Sequence, residues 1–348
     1  MRYATLDGLR GLAALLVVLS HFSNRTGMWG VRLGDGGGQI GVMLFFLVSG
    51  FLMGRLYLEE KITTGSAFRF AQRRIARIVP LFLLVVLASF AIVSLSGASR
   101  GMPITVSGAS HGMYPITVSN LADHLFFLSG VDVLWSIPVE VHFYMLFILI
   151  WGAACYVNTA VTGAVLAMAA LFCVIIPHAG EEHELLYYLH FFLGGVVVAI
   201  AHSSGIIRQA KPWDIAFFVL AFAPLLLMPR ITLELFGERL DLWKSPLVLI
   251  VLTMLLVSAL GSSLADTVLG GRIGRFGGDI SYSVYLVHDP ILFWLGLVRP
   301  TSTKIFLLLF LTSVVLVSWT SYRLIERPSR RIVNGIGQRT SVSVLHSA

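Results

Sequence analysis

The stretch Leu6-Asp7-Gly8-Leu9-Arg10-Gly11-Leu12-Ala13-Ala14-Leu15-Leu16-Val17-Val18-Leu19-Ser20-His21 decides the fold. It is apolar enough to be a membrane helix, yet it carries an aspartate, an arginine and a histidine. An α-helix advances about 100° per residue, so Arg10 lies at roughly −60° and His21 at roughly −40° from Asp7. All three share one narrow stripe, and the rise from Arg10 to His21 is about 16 Å. Ionisable groups are costly in hydrocarbon and turn toward a bundle interior or a wet cavity. The alternative is that Asp7 and Arg10 mark the helix start and His21 its other interface.

Working outward, composition sets the class. The chain is 57% hydrophobic and 12% charged, against about 25% charged in soluble domains, and its mean hydropathy is +0.85. These values predict an all-α integral membrane protein. The formal charge of +7 is explained by basic cytoplasmic loops, not by nucleic-acid binding. Cys155 and Cys173 both lie in apolar runs and imply no disulfide framework. The N-terminus lacks a small-residue cleavage site, and Asp7 is out of place in a signal peptide, so this segment reads as a retained first helix.

A span needs about 20 mostly apolar residues. On that measure ten windows qualify, at roughly 8–23, 40–58, 78–96, 135–157, 160–177, 186–202, 213–229, 245–264, 281–298 and 303–325. With the N-terminus inside, 17 of the 25 Lys and Arg fall on the inner side. The positive-inside rule then predicts a polytopic bundle of about ten transmembrane helices with both termini cytoplasmic. Residues 1–331 form the transmembrane domain and 332–348 a short polar cytoplasmic tail.

Two outer loops carry patterns. In loop 97–134, Pro103-Ile104-Thr105-Val106-Ser107 recurs as Pro115-Ile116-Thr117-Val118-Ser119. A period of twelve is too short for a solenoid unit and reads as a local duplication. In loop 178–185, His178, Glu181, Glu182, His183 and Glu184 have spacings that suit a metal, but a solvated turn is the simpler reading; no metal site is predicted.

Polar groups at membrane depth single out the chemistry. The second window contains Phe45-Phe46-Leu47-Val48-Ser49-Gly50-Phe51-Leu52-Met53-Gly54, where Gly50 and Gly54 form a small-xxx-small packing pair. Arg73-Arg74-Ile75-Ala76-Arg77-Ile78-Val79-Pro80 leads into the third. Arginines three and four apart share a helix face, and guanidinium forks match phosphate oxygens. Ordinary positive-inside charge or lipid headgroup contact is the other reading. The fourth window opens Trp135-Ser136-Ile137-Pro138-Val139-Glu140-Val141-His142-Phe143-Tyr144, with Glu140 and Tyr144 four apart on one face. The ninth reads Ile280-Ser281-Tyr282-Ser283-Val284-Tyr285-Leu286-Val287-His288-Asp289-Pro290, with Ser281, Tyr285 and His288 down one side. His288 is either a site residue or a structural histidine bonded to a carbonyl freed near Pro290. The last window ends in Glu326-Arg327-Pro328, which reads as a charge pair and a stop.

Taken together, these motifs resemble the acyltransferase 3 family. The match runs over roughly residues 5–330 in the family's order: Asp-Gly-Leu-Arg with a histidine eleven residues on, Phe-Phe-Leu-Val-Ser-Gly-Phe-Leu, Arg-x-x-Arg, Trp-Ser-x-x-x-Glu-x-x-Phe-Tyr, Ile-Ser-Tyr-Ser-x-Tyr-Leu-x-His and Glu-Arg-Pro. Pro138 and His142 depart from the commoner Ser and Gln. The resemblance implies a multi-pass enzyme of the bacterial inner membrane that moves an acyl group, acetyl by expectation, from cytoplasmic acyl-CoA to a carbohydrate or lipid-linked glycan. It implies that Arg10, His21, Arg74 and Arg77 are essential, and the family's fourth-helix glutamate and ninth-helix histidine match Glu140 and His288. The mechanism expected from residue chemistry has Arg74 and Arg77, with Arg73 beside them, hold the CoA phosphates and Arg10 help to position the donor. In it His21 is the general base, Glu140 orients or charge-balances it, Tyr144 or Tyr285 donates to the oxyanion, and His288 joins the catalytic set. Some members carry an appended SGNH esterase-like domain. Here the sequence stops just after the tenth window, so transfer is expected to be unaided or to use a separate extracytoplasmic transferase partner. Export of a lipid-linked glycan is the rival function.

Overall fold

The computed structural model describes residues 3–29, 33–34, 36–95, 114–175, 184–238, 240–298 and 302–333. Its helices, in chain order, are α1 (Ala4–Thr26), α2 (Gly37–Tyr57), α3 (Thr64–Leu95), α4 (Val118–Leu125), α5 (Ser136–Ala154), α6 (Thr159–Ile175), α7 (Leu185–Ser203), α8 (Lys211–Leu220), α9 (Ala223–Leu226), α10 (Pro229–Phe236), α11 (Pro246–Gly261), α12 (Ser263–Val268), α13 (Arg272–Leu297) and α14 (Thr303–Ser321). A 3₁₀ turn at Asp132–Trp135 leads into α5, and a π-helical turn at Tyr322–Glu326 follows α14. No strand occurs among the described residues. The protein is all-α, as its composition predicts.

Among the described residues, seven helical stretches are long and apolar enough to cross a membrane, and α6 and α11 are shorter apolar helices. The window at 213–229 departs from expectation, because it comes as α8, α9 and the start of α10. Pro224 and Pro229 open α9 and α10. Each lacks an N–H and disfavours helix in the residue before it, so one apolar run is cut into three pieces. The first copy of the loop repeat, residues 178–183 of the His/Glu loop and residues 334–348 of the tail lie outside the described residues. Arg2, Arg32, Arg100, Arg239, Arg299 and Arg339, which entered the charge reading, lie outside them too.

The chain forms two compact units, one of residues 1–60 and 134–285, the other of 61–133 and 286–348. In the first, α2 is apolar all round and buried along most of its length, as a core membrane helix must be. It packs on α7 backbone to backbone. A methyl on Gly50 would collide with the Phe192 carbonyl, and one on Gly195 with the Leu47 carbonyl. Above this crossing Phe192 stacks on Phe46 at 4.5 Å and on Phe143 at 4.2 Å. A second close crossing joins α1 to the start of α13, where Gly11 meets Gly277 and Gly278 meets the Asp7 backbone. Thr5 at the start of α1 donates to Asp266.

In the second unit, α3 and α14 keep broad apolar surfaces, with Leu84, Leu87, Leu308, Leu309 and Leu316 exposed. Such surfaces are what lipid-facing helices present. Pro290 lies inside α13, and the carbonyl four residues before it, that of Leu286, accepts the Tyr114 hydroxyl at 3.0 Å. His124, fully buried, takes the Val131 N–H on Nε2 and donates from Nδ1 to the Asn120 carbonyl, closing the turn after α4.

Candidate functional site

In the first unit, the α2–α7 crossing holds Ser49 and Gly50 side by side in the sequence, and this is what places a hydroxyl at depth. Ser49 donates to Glu140 Oε1 at 2.9 Å. Tyr144, one turn along α5, also donates to Oε1, and the Ser49 and Tyr144 oxygens are 3.4 Å apart. One carboxylate oxygen is thus held by two hydroxyls from two helices. The two bonds fix the orientation of the carboxylate. The Glu140–Tyr144 face expected from spacing is present, and Ser49 is an addition. The Ser-Gly pair gave a signal for it, but only the fold brings α2 to α5.

A second pair lies between the start of α5 and α13. Ser136 donates to the buried Tyr285 hydroxyl at 2.8 Å, and the Phe45 ring meets Tyr285 edge-on at 5.9 Å. Ser281, expected on the same face, spends its hydroxyl on the Gly278 carbonyl at 2.9 Å.

His21 lies in the last two turns of α1, with its ring edge beside Gly38 at the start of α2. Its neighbour Ser20 ties the helix to the following turn through the Gly34 carbonyl at 2.6 Å. Arg10 and Asp7 sit half-buried on the first turns of the same helix.

In the second unit, His288 is fully buried on α13, with Asp289 next to it at 3% exposure. The carbonyl freed by Pro290 goes to Tyr114. At the start of α3, Arg73, Arg74, Ala76 and Arg77 line a cavity of about 230 Å³, joined by Arg330 and Val333. The Arg74 guanidinium lies 5.9 Å over the Phe70 ring, which helps fix its plane. The arginine fork expected from spacing is therefore a lined cavity. Arg330 was not foreseen: Glu326-Arg327-Pro328 read as a charge pair and a stop. Instead Glu326 pairs with Arg330 at 2.6 Å, and the helix runs on through 327–333. The π turn explains this. The Arg327 N–H reaches back five residues to the Tyr322 carbonyl, and the wider turn accommodates Pro328.

Guanidiniums around a small cavity suit an anionic ligand. Among the described residues no group of three metal-ligating side chains comes together.

The sequence matches the family model described as an acyltransferase domain over residues 3–323. It is 29% identical to a protein of Komagataeibacter xylinus named "Putative membrane-bound transacylase BcsY", over 94% of this chain and 82% of that protein. It is 23% identical to the O-acetyltransferase OatA of Staphylococcus aureus (strain NCTC 8325 / PS 47), over 94% of this chain and 57% of OatA. It is 25% identical to the "Putative peptidoglycan O-acetyltransferase YrhL" of Bacillus subtilis (strain 168), over 93% of this chain and 54% of YrhL. The chain thus spans little more than half the length of OatA and YrhL. No solved structure matches it.

Proposed function

The chain belongs to the acyltransferase 3 family and is a multi-pass membrane acyltransferase; from that premise we propose that it moves an acetyl group from cytoplasmic acyl-CoA to a hydroxyl of a glycan in the bacterial inner membrane. The observation that carries the donor assignment is the cavity lined by Arg73, Arg74, Arg77 and Arg330. Its charge suits a ligand with several phosphates, and the excess of inner Lys and Arg supports a cytoplasmic location. The names of OatA and YrhL support acetyl as the group and a glycan as the acceptor.

In this proposal Arg73, Arg74 and Arg77 hold the phosphates of acyl-CoA, and Arg10 helps to position the donor. Acyl-CoA supplies an activated thioester carbonyl. His21 is the general base that takes the proton of the acceptor hydroxyl. Glu140, anchored by Ser49 and Tyr144, balances the charge His21 acquires, as a carboxylate does in hydrolase triads. With the Tyr144 proton committed to Glu140, Tyr285 is the better donor to the developing oxyanion. His288, fully buried on α13, is assigned a catalytic role.

The test is transfer by the purified protein in liposomes, with radiolabelled acetyl-CoA and lipid-linked or free oligosaccharides. His21→Ala is expected to abolish transfer and keep CoA binding, whereas Arg77→Ala weakens binding. Glu140→Gln is expected to lower kcat by about 10² or more with KM for acetyl-CoA little changed. Full activity in His21→Ala would overturn the mechanism. Movement of glycan across the liposome, with no CoA released from acetyl-CoA whichever acceptor is supplied, would favour export instead.

A further inference from the structure

The proposed mechanism leaves Glu326 and Arg330 without a role, yet both are placed with care. Glu326 is 1% exposed, and its Oε2 accepts from Arg330 Nη2 at 2.6 Å. The Arg330 guanidinium also lies 6.0 Å over the Tyr322 ring, at the start of the π turn. The bond through Nη2 holds the guanidinium of Arg330 in place on the buried carboxylate. With Arg73, Arg74 and Arg77 it lines one cavity, so four guanidiniums face the same space.

A plain helix salt bridge needs no such setting. Glu326 and Arg330 are four apart, and ordinary α-helical spacing already brings such pairs together. Here a π turn, rare and frequent at functional sites, ends at Glu326, and Arg330 lines a cavity shared with three other arginines. Four guanidiniums around one space suit an anionic group with several oxygens. A volume of about 230 Å³ is below the roughly 300–1,000 Å³ of pockets that enclose whole ligands. It suits the phosphate portion of a larger molecule.

We infer that Arg330 is a fourth phosphate ligand of the donor site, with Glu326 as the positioning residue that aims it. The diphosphate and 3′-phosphate of acyl-CoA are then shared among four guanidiniums. This rests on the acyl-CoA reading above.

The test measures acetyl-CoA binding by calorimetry to the full chain in lipid nanodiscs. Removing Arg330 alone would strand a buried carboxylate, so the informative variant is Glu326→Gln with Arg330→Gln, its fold checked by thermal unfolding. Its dissociation constant is expected to rise about tenfold or more. Arg330→Lys, which keeps the charge and the Glu326 partner but loses the planar fork, is expected to recover part of that loss. Glu326→Gln alone, with Arg330 present but no longer aimed, should fall between wild type and the double variant. If the double variant and Arg330→Lys both bind like wild type while Arg77→Gln weakens binding, Arg330 is no ligand and the donor reading stands. If wild type itself binds no acetyl-CoA, the donor reading fails and takes this inference with it.

Discussion

Pro290 has no N–H to give, so the Leu286 carbonyl loses the helix partner it would otherwise have. The buried Tyr114 hydroxyl takes that place at 3.0 Å. Tyr114→Phe keeps the ring and removes the donor, leaving a buried carbonyl unsatisfied. The expected loss is about 1–3 kcal/mol of stability, read by denaturant unfolding in detergent. Adding Pro290→Ala restores an N–H and should recover most of that loss. A neutral Tyr114→Phe would mean that the carbonyl finds another donor.

A second residue-scale effect depends on pH. Glu59, just past α2, is held below the usual carboxylate range, first by the Ser203 hydroxyl and then by the charge and hydrogen bond of Arg55, which pairs with it at 3.0 Å. A depressed carboxyl pKa contributes stability that is present above the unfolded value. It is lost as pH falls through the folded value. Wild type should therefore exceed Glu59→Gln in thermal stability at pH 6, with the gap closing below about pH 4. The gap is small, because Glu59 is exposed and screened.

Residue identity and spacing were enough to pair Glu140 with Tyr144 and to group the arginines of α3. They were not enough to bring in Ser49, Ser136 or Arg330, because those contacts join positions far apart in the chain or depend on a non-α turn. The carbonyl freed near Pro290, which entered the structural reading of His288, accepts the Tyr114 hydroxyl, a contact between positions far apart in the chain.

At the scale of elements, the α2–α7 crossing is the contact on which the rest of the first unit rests. Gly50→Ala or Gly195→Ala forces a methyl into a facing carbonyl, and overpacking of this kind costs about 1–3 kcal/mol. Gly152 in α5 has nothing within 4 Å of an added methyl. Gly152→Ala is the control, expected to be neutral or stabilising by about 0.5–1 kcal/mol. Thermal unfolding of the three variants in one detergent checks the ranking. The small-xxx-small pair at Gly50 and Gly54 is visible in sequence. Its counterpart at Gly195 is not, because periodicity shows which face is small but not which helix it meets. The broken run at 213–229 shows the opposite limit: hydropathy averages over a window, while a proline acts at one bond.

At the scale of the molecule, class and family are legible from composition and from the order of the motifs. Both survive any detail of packing. What is not legible is how the chain divides. The segments 1–60 and 134–285 close on one another, as do 61–133 and 286–348, and α13 passes from one unit to the other at Tyr285. His21, Ser49, Glu140, Tyr144 and Tyr285 thus belong to one unit, and His288 with the arginine cavity to the other. Only non-local contacts define such a division, and a pattern read along the chain carries no record of them.

The apolar helices also differ in what surrounds them. In the most apolar window of α2, 78% of residues are buried within the protein, against 22% in the stretch Thr303–Val333. A helix of the first kind takes its environment from its own chain; one of the second takes it from the bilayer. Changes in membrane thickness or lipid composition therefore act directly on α14 and on the π turn that aims Arg330, and reach Ser49 only at second hand. On the proposed assignment of roles, the donor end of the reaction is the one exposed to the state of the membrane, and the carboxylate cluster is insulated from it.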